Sequence, residues 1–330
     1  MVNQPPTQTS PIVVALGEVD PELVSEPLHG SAVFVAKPVA SDLSAAAGAI
    51  VRADVVVDEA MLDRMPKLEV LARTGVGVDL IDVPLATSRG IAVVITPGSG
   101  TFAVAEGVIG MALHLVKRFG PLTSLVRKAS WGKRGEIVVG DLDGSTIGIV
   151  GFGRIGQRVA LLAKAFGMEV LAYDPISEPP DDILCEDLDD LARHSDIITL
   201  HVPLTDGTRN LVDQRFLTMV KPGAVLVNCS RGGLIDTDAV LQALVSGQLS
   251  GVGLDVFESE PPKHHRLFDH PNVVLTPHVM GLSRRATAAT FTAAAIGVSD
   301  VLAGRRPAHL ANPAWSPKKQ TSESPLNREA

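Results

Sequence analysis

Hydrophobic positions along the chain fall into short unbroken runs separated by amphipathic or polar stretches. That is the pattern of strands buried on both faces alternating with helices. In the first hundred residues, 12–16, 32–36, 55–57, 69–72 and 91–95 read as buried strands, and 45–50, 59–65 and 84–88 as helices between them. A long helix is predicted over 101–117, with Thr101 as N-cap. Its apolar face comprises Val104, Ala105, Val108, Ile109, Ala112, Leu113 and Val116, and Phe119-Gly120-Pro121 marks its end. The strand pattern restarts after a polar, glycine-rich stretch (131–144), which places a domain crossover at this helix. Beyond it, strands at 147–150, 168–173, 196–200, 224–227, 251–254 and 273–275 alternate with helices at 154–166, 188–193, 214–219 and 236–246. The pattern predicts an α/β protein: a small domain with a parallel sheet, then a doubly wound parallel sheet whose ligands sit at the strand carboxyl ends.

The chemistry is organised around Gly151-Phe152-Gly153-Arg154-Ile155-Gly156, which follows the apolar run 147–150 and opens a helix. Gly151 permits a tight strand-to-helix turn, Gly153 lets the backbone approach a pyrophosphate, and Gly156 lets helix pack against sheet. The helix N-terminus then offers N–H groups to phosphates. Asp174 ends the next strand, 18 residues after Gly156, close to the usual spacing of about 20. Its carboxylate can accept both ribose hydroxyls and repels a 2′-phosphate. No arginine lies between Asp174 and Pro180, so the expected cofactor is NAD rather than NADP.

Composition narrows the rest. The chain has 330 residues, room for two domains, with 45% hydrophobic and 20% charged residues. The net charge of −8 argues against a broad nucleic-acid surface. Two cysteines, Cys185 and Cys229, make no disulfide framework, so a cytoplasmic location is expected. There is no apolar run long enough to span a membrane, and Met1 to Ser10 lack the basic and apolar regions of a signal peptide. His264-His265 reads as a solvated loop pair, and no metal site is expected.

Two groups of polar residues fall at strand ends. After 69–72 comes Arg73-Thr74-Gly75-Val76-Gly77, a glycine loop that either binds a carboxylate through its N–H groups or simply turns the chain. Arg52 stands at another strand edge, where most such arginines form surface salt bridges. In the second half, Arg231, Glu260 and His278 each follow a successive strand. A guanidinium fork, a carboxylate and an imidazole so delivered suit 2-keto acid reduction. The arginine would hold the substrate carboxylate. The histidine would exchange the hydroxyl proton, oriented by the glutamate.

The stretches Asn228-Cys229-Ser230-Arg231-Gly232-Gly233-Leu234-Ile235-Asp236, Gly253-Leu254-Asp255-Val256-Phe257-Glu258-Ser259-Glu260-Pro261 and Thr276-Pro277-His278 resemble the signatures of the D-isomer-specific 2-hydroxyacid dehydrogenases. The fingerprint at Gly151 and His201-Val202-Pro203-Leu204-Thr205 match as well, and the likeness runs from about Val13 to Asn312. It implies two Rossmann-like domains closing a cleft. The substrate domain is discontinuous (11–100 and 282–314, with a C-terminal helix at 283–302), the NAD-binding domain is 101–281, and 1–10 and 315–330 are disordered tails. It implies catalysis by Arg231, Glu260 and His278. NAD contacts are implied at Gly151, Gly153, Arg154, Ile155, Gly156, Asp174, Val202, Pro203, Cys229, Ser230, Arg231, Asp255, His278 and Gly281. Gly75, Val76 and Gly77 would hold the substrate carboxylate. A homodimer is implied, and no regulatory domain is expected after the chain stops.

Three positions depart from the family pattern. Gly100 stands where many relatives carry Asn, Gly107 where His often follows the Ala-Glu pair, and Met280 where a small residue is common. Arg52 and Arg73 resemble the phosphate-facing arginines of phosphoglycerate dehydrogenases, so 3-phosphoglycerate is the favoured substrate, with hydroxypyruvate or glyoxylate reduction the close rival. Glu260 argues against formate dehydrogenase chemistry, where Gln stands in its place. A reading of another class, an NAD-sensing corepressor-like scaffold, remains open because such proteins can keep the triad.

Overall fold

The protein is described as a computed structural model for residues 10–317. It divides into two compact units, one built from the chain up to Ser99 together with the chain from Arg284 on, the other from Gly100–Ser283. Both are α/β, and among the described residues every pair of named strands is parallel, an isolated antiparallel bridge joining Val94 to Leu310.

The first unit runs β1 (Ile12–Leu16), α1 (Pro21–Leu28), β2 (Val33–Val35), α2 (Ala40–Ala45), β3 (Ala46–Val51), α3 (Glu59–Asp63), β4 (Val70–Arg73), α4 (Val83–Ser88) and β5 (Ala92–Val94), with the last helix among the described residues returning to it. The sheet order is β2-β1-β3-β4-β5. The helix expected over 45–50 is instead β3. Its alanines favour a helix locally, but the strand lies mid-sheet under a helix and needs small residues there. A Cβ at Gly48 would come within 3.0 Å of Val298 and 3.2 Å of Val70, so close packing overrides propensity. The strand expected at 55–57 is reduced to a single bridge, Val57 to Ile81.

The second unit runs α5 (Thr101–Val116), α6 (Phe119–Arg127), β6 (Thr146–Val150), α7 (Arg154–Ala165), β7 (Glu169–Tyr173), α8 (Leu188–His194), β8 (Ile197–Leu200), α9 (Gln214–Met219), β9 (Ala224–Asn228), α10 (Thr237–Ser246), β10 (Leu249–Leu254) and β11 (Val273–Leu275). The closing helix α11 (Arg284–Leu302) belongs to the first unit. Gly100, not Thr101, is the N-cap of α5. Phe119, read as a helix end, starts α6 after Arg118 takes a left-handed conformation (φ 54°).

The six strands stand in the order β11-β10-β9-β8-β6-β7. Beyond β7 a third strand of this half is reduced to one parallel bridge, Ala172 to Leu184. The chain thus leaves β6 toward one edge and returns on its other side at β8. That reversal opens a crevice at the carboxyl ends of β6 and β8, where such sheets take ligands.

Trp315, placed in a tail by the sequence, is buried, and its indole N–H donates to Gly90 O at 3.0 Å. Of the expected tails, 1–9 and 318–330 lie outside the described residues. Among the described residues no helix is long and apolar enough to cross a membrane.

Candidate active site

The glycines of the fingerprint each occupy a distinct steric position. Gly151 has φ 99°, and a Cβ there would lie 2.7 Å from the His201 carbonyl carbon; only glycine lets the end of β6 rest against the end of β8. A Cβ at Gly156 would stand 2.1 Å from Gly151 O, so α7 packs directly on the turn. Gly153 faces open space and is the N-cap of α7 with no side-chain cap. Asp20, Asp58, Asp82, Asp187, Asp213 and Asp236 cap six other helices by accepting from backbone N–H groups. The first turn of α7 lacks such a cap and any acidic residue, an arrangement that suits an external anion. Arg154 is exposed and Ile155 half-buried at this end.

Asp174 lies just past β7. Its Oδ2 accepts from Phe152 N at 2.7 Å, and its Oδ1 from Ile176 N at 2.8 Å and Ser177 N at 3.0 Å. Burial works to raise its pKa, but the hydrogen bonds from Ser177, Ile176 and Phe152 outweigh it and lower the pKa on balance. The carboxylate is therefore ionised and fixed beside the glycine turn. An uncapped helix end and an ionised acceptor at the neighbouring strand end together fit a dinucleotide. Asp174→Ala is expected to weaken NADH binding roughly tenfold or more, the scale of one charge-assisted hydrogen bond; an unchanged Kd by fluorescence titration would remove Asp174 from the cofactor site.

The loops after β8 and β9 are tied together. Ser230 Oγ donates to Val202 O at 2.7 Å, and Thr208 Oγ1 donates to Pro203 O at 2.7 Å. Asn228, fully buried, accepts from Ser230 N at 3.0 Å and donates to Arg231 O at 2.8 Å. Asn228 is a functional residue that the motif Asn228–Asp236 does not single out; its signal in the sequence is an amide at a strand end before a glycine pair. Cys229 turns its thiol into the core, 3.9 Å from Met111 Sδ. Burial, then the nearby Asp255 charge, pushes its pKa up, so it stays a thiol and offers a cofactor only its backbone.

His201 ends the same β8 turn. Its Nε2 pairs with Thr199 Oγ1 at 3.0 Å, while Nδ1 is enclosed without a partner. Burial lowers its pKa to about 3. Between pH 3 and 6.5 the unfolded chain binds more protons at this site, so stability present above pH 6.5 is lost as pH falls. In equilibrium unfolding, His201→Gln should reduce that pH slope by up to one proton, about 1.4 kcal/mol per pH unit; an identical slope in the variant would contradict a buried neutral imidazole.

At the ends of β9, β10 and β11 the three expected side chains are delivered as follows. His278 Nδ1 lies 2.7 Å from Glu260 Oε2, and Glu260 Oε1 accepts from Phe257 N at 3.1 Å. The imidazole and carboxylate are 43% and 38% exposed, open to a small ligand. With Nδ1 on the glutamate, Nε2 is left for a substrate oxygen. His278 sits in left-handed backbone (φ 53°), a strained conformation for a non-glycine residue. Asp255 holds it there. The Asp255 carboxylate, almost wholly buried, accepts from Thr276 Oγ1 (2.6 Å), Val279 N (2.9 Å) and Met280 N (3.1 Å), and its carbonyl accepts from His278 N (2.8 Å). The sequence placed Asp255 at the cofactor; three of its lone-pair positions already serve the His278 loop.

Arg231 follows β9 and leads a short 3-10 turn, Gly232–Leu234. Its Nη1 donates to Ser230 O at 2.7 Å. A Cβ at Gly232 would lie 1.9 Å from the Phe257 carbonyl carbon, so the Arg231 loop rests directly on the segment whose N–H holds Glu260. Gly281 is next to α5, with Val104 Cγ2 at 3.8 Å from where its Cβ would be.

The other residues expected to bind the substrate, Arg52 and Arg73 at its phosphate and Gly75, Val76 and Gly77 at its carboxylate, lie in the first unit. Val51 pairs with Arg73 across β3 and β4, which puts Arg52 and Arg73 at the same carboxyl edge. The Arg52 guanidinium stacks 5.5 Å from the Phe291 ring centroid. Arg73 Nη1 donates to Thr74 O at 2.6 Å and folds over Gly75, which has φ 142°. Val76 is exposed, Gly77 half-buried, and Gly75 O accepts from Thr96 N at 2.9 Å. His264 and His265, at a loop distant in sequence from these, pair with Asp269 and Asp238.

Comparison with known proteins accords with this geometry. Residues 109–280 match the family of D-isomer specific 2-hydroxyacid dehydrogenases, NAD binding domain. The chain is 36% identical over 310 residues to D-3-phosphoglycerate dehydrogenase of Methanocaldococcus jannaschii, covering 88% of this chain and 59% of that protein. It is 40% identical over 235 residues to hydroxypyruvate reductase of Thermotoga maritima, covering 70% of this chain and 76% of that one. The solved D-lactate dehydrogenase from Aquifex aeolicus, complexed with NAD and lactic acid, has a TM-score of 0.74 at 31% identity, over 85% of this chain and 92% of that chain. The protein belongs to the D-isomer specific 2-hydroxyacid dehydrogenase family. It spans well under two thirds of the length of the phosphoglycerate dehydrogenases it matches, 59% and 45% for two of them.

Proposed function

We propose that the protein is an NAD-dependent dehydrogenase interconverting a D-2-hydroxy acid and its 2-keto acid. The observation that carries this reading is the 2.7 Å contact of His278 Nδ1 with Glu260 Oε2 beside the Arg231 loop, at the carboxyl ends of a sheet whose glycine turn fits a dinucleotide. The Arg231 guanidinium binds the substrate carboxylate with its planar fork. In reduction, His278 Nε2 gives its proton to the keto oxygen; in oxidation it takes the hydroxyl proton. Glu260 fixes the ring and balances the charge of the protonated imidazole. The dinucleotide, when bound, supplies or accepts the hydride.

The substrate we favour is 3-phosphoglycerate, oxidised to 3-phosphohydroxypyruvate. Its phosphate dianion calls for cations beyond Arg231, and Arg52 and Arg73 share one sheet edge in the first unit. Reduction of hydroxypyruvate or glyoxylate is the second reading, favoured by the internal engagement of those two guanidinium groups, Arg52 with the Phe291 ring and Arg73 with Thr74 O. Relatives carry both kinds of name. Turnover followed by NADH absorbance separates the two readings. With phosphoglycerate the Arg52→Ala variant is expected to lose roughly tenfold to a hundredfold in kcat/KM, as for loss of one charge-assisted contact. Activity confined to unphosphorylated keto acids, and unchanged in the variant, would favour the second reading.

A further inference from the structure

The loop carrying His278 is held from two sides. On one side is the polar clamp of Asp255 already described. On the other, Met280 lies along α5 at Gly107. A Cβ on Gly107 would stand 2.3 Å from Met280 Sδ, 2.9 Å from its Cγ and 3.2 Å from its Cβ. The thioether therefore occupies the space in which a side chain at 107 would begin, and no other residue type at 107 is compatible with Met280 in this position.

One turn further along α5 the exchange runs the other way. Met111 Sδ would stand 3.0 Å from a Cβ on Gly253 of β10. The helix thus inserts a methionine into a glycine notch of the strand, and the His278 loop inserts a methionine into a glycine notch of the helix. Above this pair, a Cβ on Gly100 would be 3.6 Å from Gly281 Cα, so the loop is backed by α5 over several turns. Because Met280 N is also bonded to Asp255 Oδ2 at 3.1 Å, the residue is fixed by both its backbone and its side chain. Only Val279 separates it from His278, whose left-handed backbone needs such external support.

We propose that Met280, seated in the notch at Gly107, is a positioning residue for His278. It sets where the imidazole stands for proton transfer without touching the substrate. The part of this inference that concerns proton transfer rests on the dehydrogenase reading; the steric lock does not. Methionine suits the task, since an unbranched thioether can thread along a helix groove where a branched side chain would collide.

The test is a cycle of Gly107→Ala, Met280→Ala and the double variant, read in two ways. The ring proton resonances of His278, assigned with His278→Gln, report the imidazole without any turnover. Gly107→Ala should displace them by expelling Met280, and Gly107→Ala/Met280→Ala should return them most of the way toward wild type. If Gly107→Ala does not fold, Met280→Ala alone still decides, because emptying the notch should also displace the His278 resonances. In parallel, kcat for keto-acid reduction should fall roughly tenfold to a hundredfold in Gly107→Ala, the scale of an ångström-sized misplacement, with KM and the NADH Kd little changed. The double variant should recover most of that loss. His278 resonances unmoved in both single variants, or displaced in Gly107→Ala with no recovery in the double variant, would overturn the proposal. A wild-type protein that binds NADH but turns over no 2-keto acid would instead overturn the dehydrogenase reading, leaving the resonances to decide the lock.

Discussion

Replacing His278 by glutamine is expected to lower kcat for a 2-keto acid by roughly 10²- to 10⁴-fold, the range for removal of a positioned general acid–base. Two features set the size of the effect. Nδ1 is committed to Glu260 at 2.7 Å, so Nε2 is the one ring nitrogen left to exchange a proton with the substrate. Glutamine can still hydrogen-bond the keto oxygen, but it cannot carry a proton to it. Glu260→Gln should cost less than His278→Gln, because the amide keeps a contact to Nδ1 and loses only the charge. Steady-state kinetics beside NADH titration checks both variants. A His278→Gln enzyme within threefold of wild-type kcat would mean that another group moves the proton.

Gly232→Ala is expected to be the most disruptive small substitution in the second unit. The added methyl would lie 1.9 Å from the Phe257 carbonyl carbon, 2.2 Å from its oxygen and 2.3 Å from Glu258 N. These are backbone atoms of the segment that holds Glu260, so relief requires the whole 257–260 stretch to move. Overpacking of a rigid site costs about 3 kcal/mol or more when backbone must shift. The same movement separates the Arg231 loop from the Glu260–His278 pair, so kcat/KM should fall roughly a hundredfold even in the folded fraction. Denaturant unfolding and kinetics on the same preparation separate the two effects. A stability change under about 0.5 kcal/mol with unaltered kcat/KM would show that the two loops do not bear on each other.

Much of the second unit was legible because its local and long-range signals agree. The stretch from Asp236 predicts a helix with that aspartate as its cap, and Asp236 does cap α10. The glycines at Gly151 and Gly156 mark a backbone crossing that tolerates no Cβ, while Gly153 between them faces open space. The pairing of His278 with Glu260 was legible because both belong to strand-end motifs of one sheet. Where reading failed, tertiary packing had overruled a local preference. The alanine-rich stretch over β3 looks helical to its neighbours in sequence, but pairing with β1 and β4, with Val298 and Val70 close against Gly48, makes it a strand. The left-handed Arg118 and the new helix behind it carry no strong local mark, because Phe119-Gly120-Pro121 suits a helix start as well as a stop. The Asp255 clamp was hidden for another reason: its partners Thr276, Val279 and Met280 lie on the next strand's loop, and a carboxylate before an apolar segment reads equally well as a ligand contact. Gly107 and Met280 were each visible as departures, but their fit to one another is a property of three-dimensional packing alone.

The central claim is most directly tested by incubating the purified protein with NADH and a panel of 2-keto acids, 3-phosphohydroxypyruvate, hydroxypyruvate and glyoxylate among them, and determining the amount and handedness of the hydroxy acid formed. One hydroxy acid per NADH oxidised, of the D configuration wherever the product is chiral and abolished in His278→Gln, is the predicted result. NADH that binds but is never oxidised by any of these acids, or a product of the L configuration, would contradict it.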